Sequence, residues 1–247
     1  MDPMPGERLE LLQPGGYRIL QKERGFHYTM DAVLLADFAR VRPTDTAADF
    51  GTGTGILPLL CLSRGKGQRF YAFELQPDMA EMAGRTMALN GLEERVTVYS
   101  APAELAPDLL PRQCCDAVLM NPPYGAFGAT LQNPEEDRRV ARHQAEEGLS
   151  GWFRAAFLLL KGKGRLSMVY PAARLLEAMT LLRQNHLEPK RFRLVYPFAD
   201  RAPNLVLLEA IRDGRPGLMP EPPLIVHEAD GTETAELRRI YRMEEQP

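Results

Sequence analysis

Four consecutive residues, Asn121-Pro122-Pro123-Tyr124, carry the groups needed to hold a planar NH₂ for attack on an electrophile. An aromatic or amide NH₂ is a poor nucleophile because its lone pair is delocalised. The side-chain oxygen of Asn121 can accept one N–H and the carbonyl of Pro122 the other. Two acceptors draw the nitrogen toward tetrahedral geometry and aim its lone pair at a methyl donor, by positioning and electrostatic stabilisation. Proline lacks a backbone N–H and fixes φ, so the two prolines stiffen the segment and leave carbonyls free to accept. Tyr124 adds a flat π-face on which a planar target can stack. Asn121, Pro122 and Tyr124 are thus the candidate catalytic residues. Asn-Pro is also an ordinary turn signal, so the reading depends on what precedes it.

Upstream stands Asp49-Phe50-Gly51-Thr52-Gly53-Thr54-Gly55, where a strand should turn into a helix. Closely spaced glycines let backbone approach a ligand without Cβ clashes, and the helix start beyond them offers free N–H groups. Ligands of open α/β sheets bind at the carboxyl ends of the strands. Glu74, at the end of the next strand, is placed to accept hydrogen bonds from two ribose hydroxyls, as an acid about 20 residues beyond the glycines does in dinucleotide folds. The spacing is G-x-G-x-G, not the G-x-G-x-x-G of the nicotinamide fingerprint. Asp49 could hold an ammonium group, which the methionine half of S-adenosylmethionine carries and nothing in NAD requires. Asp49, Gly51, Gly53 and Glu74 are the cofactor candidates, and S-adenosylmethionine is the cofactor they suit.

These residues need a scaffold that brings strand ends together, and the chain alternates accordingly. Apolar spacing predicts an amphipathic helix over 30–40 with Thr29 as its N-cap. Strands are expected at 46–50, 69–74, 95–99, 116–120 and 164–170. Helices are expected at 55–62, 77–90, 149–160 and 172–186, with Pro77 in a first turn and Gly91 as a stop. Residues 191–196 and 204–211 read as two final strands. The βαβ rhythm implies an α/β fold: a mainly parallel, seven-stranded Rossmann-like sheet with helices on both faces and an antiparallel last strand. We expect one domain over 1–247, with an extension at 1–28 and an appended edge at 212–247.

Composition excludes several classes. At 247 residues, with 45% hydrophobic and 26% charged side chains, the chain suits a globular enzyme with a sizeable core. A net charge of −3 argues against a general nucleic-acid coat protein, but not against one local basic face. Arg138, Arg139, Arg142 and His143, and separately Lys190, Arg191 and Arg193, are candidates to neutralise phosphates, although Glu135, Glu136 and Asp137 adjoin the first group. Cys61, Cys114 and Cys115 form no disulfide framework. With His27, His143, His186 and His227 they show no zinc spacing, so no metal is expected. No signal peptide or membrane span is legible, and a reducing cytoplasm is the expected compartment.

The order of motifs resembles a known family. Phe26-His27-Tyr28-Thr29-Met30-Asp31-Ala32-Val33-Leu34-Leu35-Ala36, then DFGTGTGI, FELQ, NPPY, Asn133, Ala141-Arg142-His143, and later APNLVLLE and Pro222-Pro223-Leu224-Ile225-Val226, are similar to bacterial tRNA adenine-N6 methyltransferases of the small-domain class I group. The resemblance covers nearly the whole chain. It implies a class I methyltransferase fold, S-adenosylmethionine as cofactor, and as substrate tRNA, at the adenosine 3′ of the anticodon in a valine tRNA. It implies that Thr29 and Asp31 close over the methionine end, and that Asn121 serves both cofactor and target. Where relatives often carry an Asp after the third strand, this chain has Ser100-Ala101-Pro102-Ala103-Glu104, and Glu104 is the substitute contact to the cofactor adenine. Gly125 stands where Phe is common, with Phe127 nearby. The NPPY element also occurs in DNA adenine methylases and in enzymes that methylate release-factor glutamines. A protein N5-glutamine methyltransferase, an rRNA or DNA amino-methyltransferase, and a non-catalytic adenosyl-binding module therefore remain alternatives. Oligomeric state is not legible.

Overall fold

Several segments between residues 46 and 170 are short, continuous apolar runs, too short for helices and apolar on both faces. Such runs belong to parallel strands covered on both sides. The computed structural model, which describes residues 3–12, 16–23, 30–122 and 136–241, bears this out. Strands β3 (Thr46–Phe50), β4 (Arg69–Glu74), β5 (Val96–Ser100), β6 (Cys115–Met120), β7 (Leu160–Pro171), β8 (Leu187–Phe198) and β9 (Leu205–Arg212) form the body of one sheet. Their spatial order is β8-β9-β7-β6-β3-β4-β5. β9 runs antiparallel to both β7 and β8, and the other neighbours are parallel. The antiparallel last strand therefore does not lie at the edge; it is inserted between β7 and β8. Two further strands, β10 (Met219–Pro220) and β11 (Leu224–His227), pair in parallel with β8, so the expected appended edge widens the sheet.

Helices cover both faces. On one face α1 (Met30–Phe38), α2 (Ile56–Ser63) and α7 (Ala235–Tyr241) pack with Met87 of α3 (Pro77–Leu89). On the other lie α4 (Ala106–Leu109), α5 (Glu136–Leu159) and α6 (Leu175–Gln184). α1 is less amphipathic than its spacing predicts. Residues 32–36 and Phe38 are all buried and only Asp37 is exposed, because the helix is enclosed by α2, α7 and the sheet. α5 begins 13 residues before the expected Leu149. Its first half is polar, so hydrophobic periodicity is silent there, although it is rich in good helix formers.

The N-terminal segment forms a hairpin of β1 (Glu7–Leu11) and β2 (Arg18–Lys22). It docks on α3. Arg85 Nη1 donates to Glu7 Oε2 at 2.9 Å, and the buried Leu20 amide donates to Thr86 Oγ1 at 3.2 Å. The Arg85 guanidinium holds the Glu7 carboxyl below the usual carboxylate range.

Arg191, read above as a candidate phosphate ligand, is a structural cation. Its side chain is 7% exposed and that of Glu209, its partner across β9, is 1% exposed. Its Nη2 donates to Glu209 Oε2 at 3.0 Å and to the Phe38 carbonyl at 2.8 Å, and its Nη1 donates to Glu221 at 2.9 Å. The guanidinium also lies 3.7 Å over the Phe38 ring. Arg193 is similarly engaged, by Glu236 at 2.7 Å and the Pro222 carbonyl at 2.9 Å. This corrects the phosphate reading for both: they fasten β8 to α1, α7 and the C-terminal edge. Removing one member of a buried pair strands the other charge, at about 3–5 kcal/mol. Glu209→Gln is therefore expected to lower the unfolding free energy in urea by about 3 kcal/mol; a loss within the range of an exposed pair, under about 1 kcal/mol, would show that Arg191 is not held as described.

Candidate active site

The register of three strands gathers the candidate residues. Phe50 of β3 lies beside Phe73 of β4 and Met120 of β6. Each of these residues is the last or next to last of its strand, so Gly51, Glu74 and Asn121 emerge side by side at one edge of the sheet. The edge is laced by backbone. The amides of Gly51 and Thr52 both donate to the Phe73 carbonyl at 2.9 Å. The Glu74 carboxylate accepts from the Gly53 amide on Oε2 and from the Gln76 amide on Oε1, both at 2.9 Å. The Ala101 amide donates to the Glu74 carbonyl at 2.9 Å, which draws in the end of β5. Glu74 is thus oriented and nearly buried, with lone pairs still able to accept from a diol.

The turn itself needs glycine. Gly51 and Gly55 have φ of +73° and +87°. A Cβ on Gly51 would lie 2.9 Å from Cη2 of Trp152, and one on Gly55 would lie 2.3 Å from Cε of Met87. The first contact exposes a residue that sequence reading missed. Trp152, on α5, backs the glycine turn and meets Phe50 edge-on at 6.1 Å. Phe50 in turn meets Phe73 edge-on, and Phe73 stacks on Tyr99 at 4.9 Å. This aromatic wall crosses from α5 to β5 beneath the site. It was hidden because its members are scattered in sequence over 50–152. Leu75, 67% exposed directly after Glu74, is a second missed residue, an apolar face at the site's rim.

Asp49 is buried completely, and neither carboxylate oxygen has a hydrogen bond of full geometry. Burial raises its pKa from 3.8 to about 7, and the nearby charge of Glu74 adds to the rise. The Thr52 hydroxyl offsets only part of it, being itself without a well-formed partner. Buried polar groups are normally satisfied. An unsatisfied carboxylate beside a glycine turn is a group that a cation from outside the chain would satisfy.

The remaining candidates sort by position. Asn121 is half-buried and Pro122 buried at the end of β6. Asp31 is partly exposed in the first turn of α1, the helix that packs on α2. Glu104 is exposed on the short 3-10 turn after β5, its Cγ set against Gly151 of α5. Thr29, Pro123, Tyr124, Gly125, Phe127 and Asn133 lie outside the described residues, as do His27 and the side chains of Arg138, Arg139, Arg142 and His143. His186 lies against the Phe157 ring, and His227 stacks on Phe198 while its Nδ1 is 3.1 Å from the Pro197 carbonyl, so both are structural as expected. A cavity of about 540 Å³ lined by Phe38, Arg42, Lys66, Arg191 and Leu224 lies away from the glycine turn. Lys66 there is engaged by the carbonyls of Ala36, Asp37 and Ala39 at 2.7–2.8 Å. We read that cavity as a seam between elements.

The methyltransferase small domain model matches residues 30–186. The chain is 30% identical over 203 residues to the tRNA1(Val) (adenine(37)-N6)-methyltransferase of Tolumonas auensis, covering 81% of each chain. It is 29% identical over 180 residues to the protein of that name in Parabacteroides distasonis, covering 72% of this chain and 74% of the relative. Among solved structures, a predicted O-methyltransferase from Agrobacterium tumefaciens superposes with a TM-score of 0.69 at 23% identity, over 86% of this chain and 95% of that one. Pyrococcus horikoshii TYW2 in complex with MeSAdo gives 0.58 at 14%, over 85% and 73%. At these identities the two structures establish the fold.

The unsatisfied acid has a pH signature. Its pKa is raised in the folded state, so between about pH 4 and 7 the folded chain binds the extra proton and stability falls as pH rises. Above that window the cost is constant, and below it both states are protonated. Asp49→Asn is therefore expected to be more stable than the parent at pH 8, by about 2–4 kcal/mol. In urea titrations that gap should close toward pH 4, and a gap independent of pH would refute the assignment.

Proposed function

The chain belongs to the methyltransferase small-domain family, in the branch of the tRNA1(Val) (adenine(37)-N6)-methyltransferases, and we propose that it methylates the exocyclic N6 of an adenine in tRNA, at the adenosine 3′ of the anticodon in a valine tRNA. It is an S-adenosylmethionine-dependent N-methyltransferase. The observation that carries the reading is the unsatisfied Asp49 carboxylate, buried beside a glycine turn that Glu74 clamps, with Asn121 and Pro122 emerging from the adjoining strand.

The residues present fit the cofactor. Asp49, with Thr52 beside it, would receive the ammonium of its methionine half. Glu74, already fixed by two amides, would accept from the ribose hydroxyls. The glycine backbone leaves room for close approach, Leu75 offers an apolar face to the adenine, and Glu104 is the candidate polar contact there. Thr29 and Asp31 would close over the methionine end. When bound, S-adenosylmethionine supplies a methyl group on a positively charged sulfur.

The chain's own part in transfer is orientation. Asn121 Oδ1 and the Pro122 carbonyl would accept the two N–H groups of the target amine and turn its lone pair toward the methyl group. Tyr124 would stack on the base. The methylated nitrogen is acidic enough to lose its proton to water, so no general base is required. An anticodon-loop adenine is already unpaired, which lowers the cost of bringing it into the site relative to a duplex base. Such a substrate implies a cytoplasmic enzyme, and we take residues 1–247 to act as one domain. No helix among the described residues is long and apolar enough to cross a membrane.

The test offers labelled S-adenosylmethionine with tRNA, DNA and protein pools separately. Label is expected in tRNA, recovered as N6-methyladenosine next to the anticodon. Asn121→Ala should lower kcat by about 10²–10³-fold, the scale for losing one aligned polar group at a developing charge. Label confined to a protein glutamine or to DNA overturns the substrate assignment.

A further inference from the structure

The adjacent thiols Cys114 and Cys115 play no part in methyl transfer. They stand at the start of β6, about 20 Å along the strand from Asn121. Adjacent residues of a regular strand point to opposite faces, which separates their side chains. Here the two sulfurs lie only 3.6 Å apart. The cause is local. Gln113 adopts a left-handed backbone, φ +57°, with its amide bonded to the Leu158 carbonyl at 3.0 Å. The chain thus enters the strand out of a turn, and Cys114 keeps its thiol on the side of Cys115. The pairing of β6 with β7 is also irregular here, shifting between Cys115 and Ala117.

From this juxtaposition we propose that Cys114 and Cys115 form a reversible dithiol modification site, closed to a vicinal disulfide by a peroxide. The two sulfurs have different roles. Cys114 is partly exposed and Cys115 is fully buried, so an oxidant reaches Cys114 first. The hydrogen bond from Cys115 lowers the Cys114 thiol to about 7, opposed by partial burial and helped by the Lys161 ammonium, which itself bonds both Asp116 oxygens at 2.8 Å. The same bond, with burial, pushes the Cys115 thiol up, so it keeps its proton while Cys114 is the nucleophile. Cys61 is buried, its thiol pushed up to about 12, and takes no part.

The chemistry balances in two steps. The Cys114 thiolate attacks one peroxide oxygen; the O–O bond breaks, hydroxide leaves and is protonated to water, and Cys114 becomes a sulfenic acid. The Cys115 sulfur then attacks the Cys114 sulfur. The S–S bond forms, the S–O bond breaks, and the Cys115 proton leaves with the hydroxyl as water. Two thiols lose two electrons, the peroxide becomes two waters, and an external dithiol reverses the change.

The test treats the full chain with a slight excess of hydrogen peroxide, denatures it, alkylates it and reads the mass of its peptides. The expected product lacks two hydrogens in the peptide holding Cys114 and Cys115, is alkylated at Cys61 alone, and returns to three alkylated cysteines after dithiothreitol. Cys115→Ser should stop at a sulfenic acid on Cys114, trapped by dimedone, and Cys114→Ser should take up no oxygen over the same time. The unsubstituted chain decides the matter whether or not the variants fold. Unreacted thiols, a bridge to Cys61, a bridge between two chains, or oxidation starting at Cys115 each overturns the proposal.

Discussion

The site is organised around the hydrogen bonds of one carboxylate. Glu74 is the last residue of β4, and its two oxygens are bound by amides on either side, Gly53 from the glycine turn and Gln76 from the approach to α3. A nearly buried acid is tolerated only when such partners replace water, and bonds to an ionised acceptor are the stronger kind. Glu74 therefore fixes the loop after β3, the start of α3 and, through its carbonyl, the end of β5. Among the described residues, the other hydrogen bonds that join the glycine turn to β4 come from the two amides on the Phe73 carbonyl.

Asp49 is the counterpart. It lies at the same sheet edge, still more deeply buried, but without hydrogen bonds of full geometry. One acid is thus satisfied within the chain, and the other is left for the ligand the proposed function assigns to it. The cost of Asp49 is borne by the apolar layers on both sides of β3, and by an aromatic wall from Trp152 to Tyr99 that leaves the turn little freedom to collapse onto the acid.

The fold was legible where periodicity is strong. The parallel strands, the glycine turn and the helix from Pro77 follow from apolar runs, φ requirements and a first-turn proline. The first half of α5 was not legible because it is polar all round. The position of β9 was not, because strand order depends on long-range packing that a one-dimensional pattern does not encode. At the site, the clustering of Asp49, Gly51, Gly53 and Glu74 at one sheet edge could be read, since it depends on sequence neighbours and on consecutive parallel strands. Trp152 could not, because what marks it is a contact with Gly51 about a hundred positions away, and Arg191 was misread because a cation's type says nothing about whether a buried acid already claims it.

The insertion of β9 has a consequence for how the chain is made. Ribosomes deliver β7 and β8 first, yet neither can pair with the other in the finished sheet, because the strand that lies between them is residues 205–212. Until that stretch leaves the exit tunnel, the outer edge of β7 is an open row of amides and carbonyls, the kind of edge that recruits foreign strands. The buried Arg191 also waits for Glu209, which arrives on the same late strand. Sheet closure and charge neutralisation therefore occur together, late in synthesis, and nascent chains whose residues 205–212 are still inside the tunnel are the ones a chaperone must hold.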